Sequence, residues 1–258
     1  MMNEKRLTKD NIELLSSLPI SAWEYPRIIV GIPLERAISH ADQCFWPFME
    51  IASQNPVFGR LPYQRTDLYR NKMAELLLKT DMTHLLMLDL DHIHPPDIIQ
   101  RMARWVLMDD DIKVVGGLNF RRGEPFEPCA FIQGDDGHVY APADWGQGLV
   151  EVDYLGTGSI LISREVIEEI EPPWFYNDYS KAWESNYPGE DMGFSIKARE
   201  AGFKLWLDTT TTSPHLTTSA VDESTFRKHM NTHREKLIDV ASKKKLTDEE
   251  VEARGLVE

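Results

Sequence analysis

Apolar positions along the first half of the chain follow two rhythms. Ile28-Ile29-Val30-Gly31-Ile32-Pro33 is a continuous apolar run closed by proline, the pattern of a short strand buried on both faces. Between residues 37 and 54, Ala41, Cys44, Phe45, Phe48, Ile51 and Ala52 fall at helical spacing. Tyr69, Met73, Leu76 and Leu77 predict a second helix over 66–79, and His84-Leu85-Leu86-Met87-Leu88-Asp89 a second buried strand. Pro95-Pro96 suits the first turn of a helix whose apolar face is Ile99, Met102, Ala103, Val106 and Leu107. Lys113-Val114-Val115-Gly116-Gly117-Leu118 is a third strand. This alternation of strands and helices predicts a largely parallel sheet covered by helices.

The second half changes character. Cys129–Ile132 and His138–Tyr140 flank Gly134-Asp135-Asp136-Gly137 and read as a hairpin. Val150, Val152 and Tyr154 alternate as one strand, and Ser159–Ile162 form another before a short helix at 164–170. Glu190 to Ala201 reads as a helix stopped by Gly202, and Phe203–Asp208 as a last strand. From Asp222 the chain is polar and reads as helical, with Thr247 and Glu250 forming a capping-box pattern and Gly255 ending the last helix. No repeat, low-complexity segment or long linker divides the chain. The expected organisation is a body over 1–221 and a helical extension over 222–258 that packs on the body or mediates self-association.

With 258 residues, 42% hydrophobic and 27% charged, the composition is that of a folded globular chain. No apolar run approaches the roughly 18–20 residues of a membrane span. The first residues lack the apolar stretch of a secretory signal, and the two cysteines, Cys44 and Cys129, lie in different elements. A reducing cytoplasm is the expected compartment. The net charge of −14 argues against broad electrostatic binding to nucleic acid or anionic lipid. The tail from Asp222 is nearly balanced, so the excess acid belongs to the body.

Four segments carry candidate chemistry. Leu88-Asp89-Leu90-Asp91-His92 puts two carboxylates at the C-terminal end of a buried strand, where open α/β sheets bind ligands. On a continuing strand both would face one side and could hold a hard divalent cation and, through it, a diphosphate; a solvated acidic turn is the plain alternative. In Gly189-Glu190-Asp191, the acids suit a helix start, or one serves as a general base if it faces the same cleft. Gly156-Thr157-Gly158-Ser159 allows either a tight turn or close approach of a ligand. His215 follows the last strand and is either a packed residue or a ligand. His92 and His94 rank behind these, since Pro95-Pro96 already explains a polar turn. Trp174, Phe175, Tyr176, Tyr179, Trp183 and Tyr187 form an aromatic-rich stretch suited to core packing or to stacking on a sugar or base.

In this order, the strand Ile28–Pro33, Arg70-Asn71, Leu86–Asp91, Gly156–Ser159, Gly189–Asp191 and His215 resemble the GT-A class of nucleotide-sugar-dependent glycosyltransferases, near its large family-2-like group. The resemblance spans residues 27–216. It implies a Rossmann-like, mostly parallel sheet flanked by helices, with an antiparallel acceptor-side portion. It also implies that Asp91 and His215 ligate Mn²⁺ or Mg²⁺, that Asp89 contacts the ribose or sugar, and that Pro33 and Arg70 line the nucleotide pocket. Gly156, Thr157 and Gly158 would border the donor sugar. Asp191 would be the base of an inverting transfer, with Glu190 binding the acceptor or sharing that role. UDP is the commonest donor nucleotide of the class. The acceptor implied is a glycan, a small molecule, a protein side chain or, as in soluble phage members, a modified DNA base. The chain departs from the class at Leu34-Glu35-Arg36, where Pro-Thr-Tyr-Asn is commoner. It also lacks the Gln-x-x-Arg-Trp motif of processive synthases, which favours single transfer. The competing expectations are a metal-dependent hydrolase or nucleotidyltransferase using Asp89, Asp91, His92 and His94, and a non-catalytic nucleotide-sugar or glycan-binding module.

Overall fold

The structure is a computed structural model that describes residues 18–33, 41–59, 61, 64–177, 189–217, 220–230 and 237–255. Its elements, in chain order, begin with β1 (Ile28–Gly31), α1 (Ala41–Ser53), β2 (Val57–Gly59), α2 (Thr66–Leu78), β3 (His84–Leu88), α3 (Ile98–Met108) and β4 (Val114–Leu118). There follow β5 (Ala130–Gln133), β6 (Val139–Asp144), β7 (Leu149–Val152), β8 (Tyr154–Leu155), β9 (Ser159–Ser163), α4 (Arg164–Glu169) and α5 (Glu190–Glu200). The chain continues with β10 (Leu205–Thr212), β11 (His215–Leu216), β12 (Ala220–Val221), α6 (Glu223–Met230), β13 (Leu237–Asp239) and α7 (Asp248–Ala253).

Seven strands form the main sheet in the order β2-β1-β3-β9-β4-β10-β7. Five run in one direction; β9 and the edge strand β7 oppose them. The architecture is mixed α/β, Rossmann-like, with a mostly parallel sheet flanked by helices. Alternation along each strand divides the core. Ile29, Leu85, Met87, Val114, Ile160 and Ile162 face one side, where α2, α4 and α5 pack. Ile28, Val30, Leu86, Leu88, Val115 and Leu161 face the other, against α1 and α3. A chain buried on both faces reads as an unbroken apolar run, which is why these strands stand out in the sequence.

A second sheet, β13-β6-β5-β8, covers the α5 side. The Val150-Val152-Tyr154 alternation is two strands: β7 ends the main sheet, and after Asp153 the chain enters β8 of the second. Asp153 fixes this switch by accepting from the Gln133 amide at 2.8 Å and pairing with Arg199 at 2.8 Å. The extension is not purely helical. Between α6 and α7, β13 pairs in parallel with β6, and Phe226, Met230, Leu237, Ile238, Leu246 and Val251 bury into the core shared with the body. The Thr247–Glu250 capping box forms at α7. Among the described residues, no helix is long and apolar enough to cross a membrane.

His84 opens β3 and is 2% exposed. Burial, aided by the Lys113 charge, pushes its pKa down to about 3. The unfolded chain takes up this proton below its ordinary value of about 6.5, whereas the folded chain stays neutral until far lower pH. Its contribution is therefore lost as pH falls, by about 2 kcal/mol between pH 7 and pH 5. Urea unfolding at the two pH values should show a smaller acid loss in His84→Gln; an unchanged loss would mean that another group governs it.

Candidate active site

The acidic segment leaves the sheet at Leu88, so Asp89 and Asp91 do not continue a strand and do not face one side. They turn to different partners. Asp89 has its amide on the Gly158 carbonyl (2.9 Å) and accepts from Arg70 Nη2 at 3.0 Å on both carboxylate oxygens. Asp91 faces two imidazoles, with Oδ1 3.0 Å from His92 Nδ1 and Oδ2 3.1 Å from His215 Nε2.

Backbone bonds lock the histidines in place. His92 and His215 form an antiparallel bridge; the Ile93 amide donates to the Pro214 carbonyl at 2.9 Å and the Leu216 amide to the Asp91 carbonyl at 2.7 Å. The two rings stack with centroids 4.0 Å apart. One potential ligand atom from each of Asp91, His92 and His215 lies within 4.8 Å of the others. The structure thus adds His92 to the expected Asp91–His215 pair. His94 does not join them. Its Nε2 donates to the Asp89 carbonyl at 2.8 Å, which leaves Nδ1 to accept from Ser213 Oγ at 2.9 Å, so both nitrogens are committed. Burial keeps His94 neutral, its pKa pushed down to about 3.

The donor set fits a divalent cation. His215 Nδ1 lies 2.8 Å from the Phe120 carbonyl, which can only accept, so Nδ1 carries the proton. Nε2 then faces a carboxylate oxygen, another group that only accepts. Such a contact is favourable with a second proton on the ring or with a cation that both atoms ligate. A ring nitrogen held by a backbone carbonyl, orienting the other toward a metal, is the usual support of a histidine ligand. Burial alone would raise the Asp91 pKa, but the hydrogen bonds to His215 and His92 outweigh it and hold the carboxyl ionised, far below the usual range.

Arg70, on α2, ties this corner to the next. It is 2% exposed; its Nη atoms donate to Asp89 and to the Thr157 carbonyl at 3.3 Å, while Nε, without a hydrogen bond, lies 3.5 Å from Glu190 Oε1 as an ion pair. Arg70, expected to line a nucleotide pocket, is buried beside Asp89 and Glu190. Pro33 is half-buried just past β1, next to Ile32, whose N–H donates to the Tyr69 hydroxyl at 2.8 Å. The segment Leu34-Glu35-Arg36 lies outside the described residues.

The small-residue loop packs closely on the protein's own side chains. A Cβ on Gly158 would sit 2.9 Å from His92 Nε2, and one on Gly156 2.6 Å from Cys129 Cβ. Thr157 between them is buried. Asn119, which no motif announced, supports the loop from below through Ser159 Oγ at 3.0 Å.

Glu190 and Asp191 open α5. The helix is seated against β8 by Ser195 Oγ, which accepts from the Leu155 amide at 3.1 Å. Gly193 lets it approach the Tyr176 carbonyl more closely than any side chain would allow. Burial, then the neighbouring Glu190 charge, raises the Asp191 pKa to about 6 against the pull of Arg70. Of the aromatic stretch, Trp174 and Phe175 are core residues, Phe175 stacking on Phe194 at 4.8 Å. Tyr179, Trp183 and Tyr187 lie outside the described residues.

No protein-family model matches the chain. No curated protein sequence matches it either. Among solved structures, it is similar to A197 from STIV, with 17% identity over 74% of this chain and 86% of that one, at a TM-score of 0.51. It is also similar to GalNAc-T7 solved with UDP, GalNAc and Mn²⁺, at 15% identity and a TM-score of 0.44, over 75% of this chain and 38% of that one. A mycobacterial protein matches at 11% identity and a TM-score of 0.45, over 83% of this chain and 73% of that one. The likeness is one of fold.

The sequence reading missed one contact at the cluster itself. Arg122, on the loop between β4 and β5, places Nη1 3.2 Å from Asp91 Oδ2. In the sequence it is only half of an Arg121-Arg122 pair.

Proposed function

We propose that this chain is a divalent-cation-dependent glycosyltransferase that moves a sugar from a nucleotide sugar, with UDP as the working nucleotide, to an acceptor hydroxyl with inversion. The observation that carries the reading is the Asp91–His92–His215 cluster at the end of β3, linked through Asp89 and Arg70 to the acids at the start of α5. This arrangement pairs a cation site with a carboxylate of raised pKa, the two kinds of group that a displacement at a sugar phosphate needs.

Asp91, His92 and His215 would hold Mn²⁺ or Mg²⁺, which when bound supplies positive charge to the leaving diphosphate. Asp89, fixed by Arg70, would accept from a ribose or sugar hydroxyl. Gly156, Thr157 and Gly158 would let the donor sugar lie against backbone, with Pro33 at the nucleotide end. Asp191 would take the proton of the acceptor hydroxyl while its oxygen bonds to the anomeric carbon. The bond from that carbon to the diphosphate oxygen breaks, and its electron pair leaves with the nucleoside diphosphate. Glu190 would orient the acceptor. The commitment of both His94 nitrogens counts against the hydrolase or nucleotidyltransferase that would recruit it as a ligand.

A thermal-shift panel of nucleotide sugars, run with and without Mn²⁺, tests the donor. A nucleotide-selective shift that requires metal is expected. By calorimetry, Asp91→Asn should weaken UDP binding in Mn²⁺ by about tenfold or more, the scale on which ligand-shell changes act. Equal affinity in the variant and wild type would displace the site from Asp91.

A further inference from the structure

Asp91 already has a cation beside it. Arg122 Nη1 lies 3.2 Å from Oδ2, the same oxygen that faces His215 Nε2 at 3.1 Å, while Oδ1 faces His92. The two side chains differ sharply in setting. Asp91 is only 27% exposed and anchored through its turn, whereas the Arg122 side chain is 55% exposed. Its loop supplies little to hold it: Arg121, Arg122, Gly123 and Glu124 are all exposed, and the space where a Gly123 Cβ would stand is open. The neighbouring Arg121 is committed to Glu127 at 2.6 Å. Of this arginine pair, Arg122 is the one that reaches the cluster.

We infer that Arg122 is an exchangeable counter-ion, one that holds Asp91 while the cation site is empty, yields Oδ2 to a divalent cation, and then binds the diphosphate that the cation brings. The inference rests on the cation-dependent reading above and extends it to a residue which that reading does not use. Like charges repel, so a divalent ion ligated through Asp91 Oδ2 competes with the guanidinium for that oxygen. The displaced group is long, permanently charged and tethered beside the site. Its planar fork matches two phosphate oxygens, which a compact ammonium does not. Arg122 therefore opposes binding of the bare metal and favours binding of the metal together with a nucleoside diphosphate. That makes occupation of the site by cation and nucleotide mutually dependent.

The test is calorimetry on the intact chain with MnCl₂ alone and with UDP at saturating Mn²⁺, on wild type, Arg122→Gln, Arg122→Lys and Asp91→Asn. Arg122→Gln removes the competitor and the phosphate fork together. It should bind Mn²⁺ alone about three- to tenfold more tightly and UDP in Mn²⁺ about three- to tenfold more weakly, within the range of ordinary coupling. Arg122→Lys should leave Mn²⁺ affinity near wild type yet still weaken UDP. A residue that merely braced the loop would shift both affinities the same way. Arg122→Gln with unchanged or weaker Mn²⁺ binding overturns the inference, provided wild type binds Mn²⁺ and Asp91→Asn does not. If wild type and Asp91→Asn are alike in both titrations, the cation site itself is wrong, and the inference falls with it.

Discussion

Asp191→Asn should make the protein more stable and nearly inactive. The Asp191 carboxyl has a pKa raised to about 6, by burial and by Glu190. Since its ordinary value is about 3.9, the folded chain binds this proton more tightly than the unfolded chain does. The sign follows directly: the ionised form is disfavoured in the fold, and stability is lost as pH rises between the two values. At pH 7 the carboxylate costs about 3 kcal/mol, which an uncharged amide of the same shape relieves. Its bond from the Met192 amide, at 2.8 Å, is one that asparagine can also accept. An amide cannot take the acceptor's proton, so transfer should fall about 10²-fold or more with nucleotide-sugar affinity kept. In wild type, kcat/KM should rise with pH through a limb near 6. Urea unfolding and initial rates on the same preparation decide the matter. Transfer within a few-fold of wild type would reject Asp191 as the base, and a dead Glu190→Gln beside it would exchange the two roles.

The two parts of the molecule were legible to different degrees for a physical reason. Strands such as Val114–Leu118 are buried on both faces, so burial writes them into the sequence as apolar runs. β2, three half-buried residues long, leaves no such pattern, and β13 offers just the two buried residues Leu237 and Ile238 before Asp239 in a charge-rich part of the sequence. Val150-Val152-Tyr154 alternates across a change of sheet and gives no sign of it: past Asp153 it is Leu155, out of step with Val152, that joins the same core. At the site, Asp89, Asp91 and Asp191 could be picked out from their positions at element ends. Of their partners, His215 is placed beside Asp91 by the resemblance and not by spacing, and the pairings of Arg70 with Asp89 and of Arg122 with Asp91 are not foreseen in the sequence. His215 reaches Asp91 across 124 residues of chain, Arg70 reaches Asp89 across 19, and Arg122 arrives from a loop with no pattern of its own. Which of His92 and His94 joins the cluster depends on where Ser213 and the Asp89 carbonyl lie, a fact of tertiary structure alone.

Arg70→Met should be the most destabilising single change at the site, and it should also move the acid limb of activity. The arginine is buried between two carboxylates, bonded to Asp89 at 3.0 Å and 3.5 Å from Glu190. Methionine fills much of the volume and keeps the apolar stem but leaves both acids without their cation. Breaking a buried pair from one side costs about 3–5 kcal/mol. Here Asp89 and Glu190 are 22% and 23% exposed and can recover some hydration, so about 2–4 kcal/mol is expected. Arg70→Lys should recover only part of this, because an ammonium cannot serve Asp89, the Thr157 carbonyl and Glu190 together. The second consequence separates a brace from a link. Arg70 pulls the Asp191 pKa down against burial and Glu190. Without it, that pKa should climb, and the limb near 6 in kcat/KM should move to higher pH. Chemical unfolding and a pH-rate profile of both variants are the measurements. A loss of stability with an unmoved limb would make Arg70 a support of the Asp89 turn and nothing more. A shift in both would make it the charge through which the donor-side and acceptor-side acids sense each other.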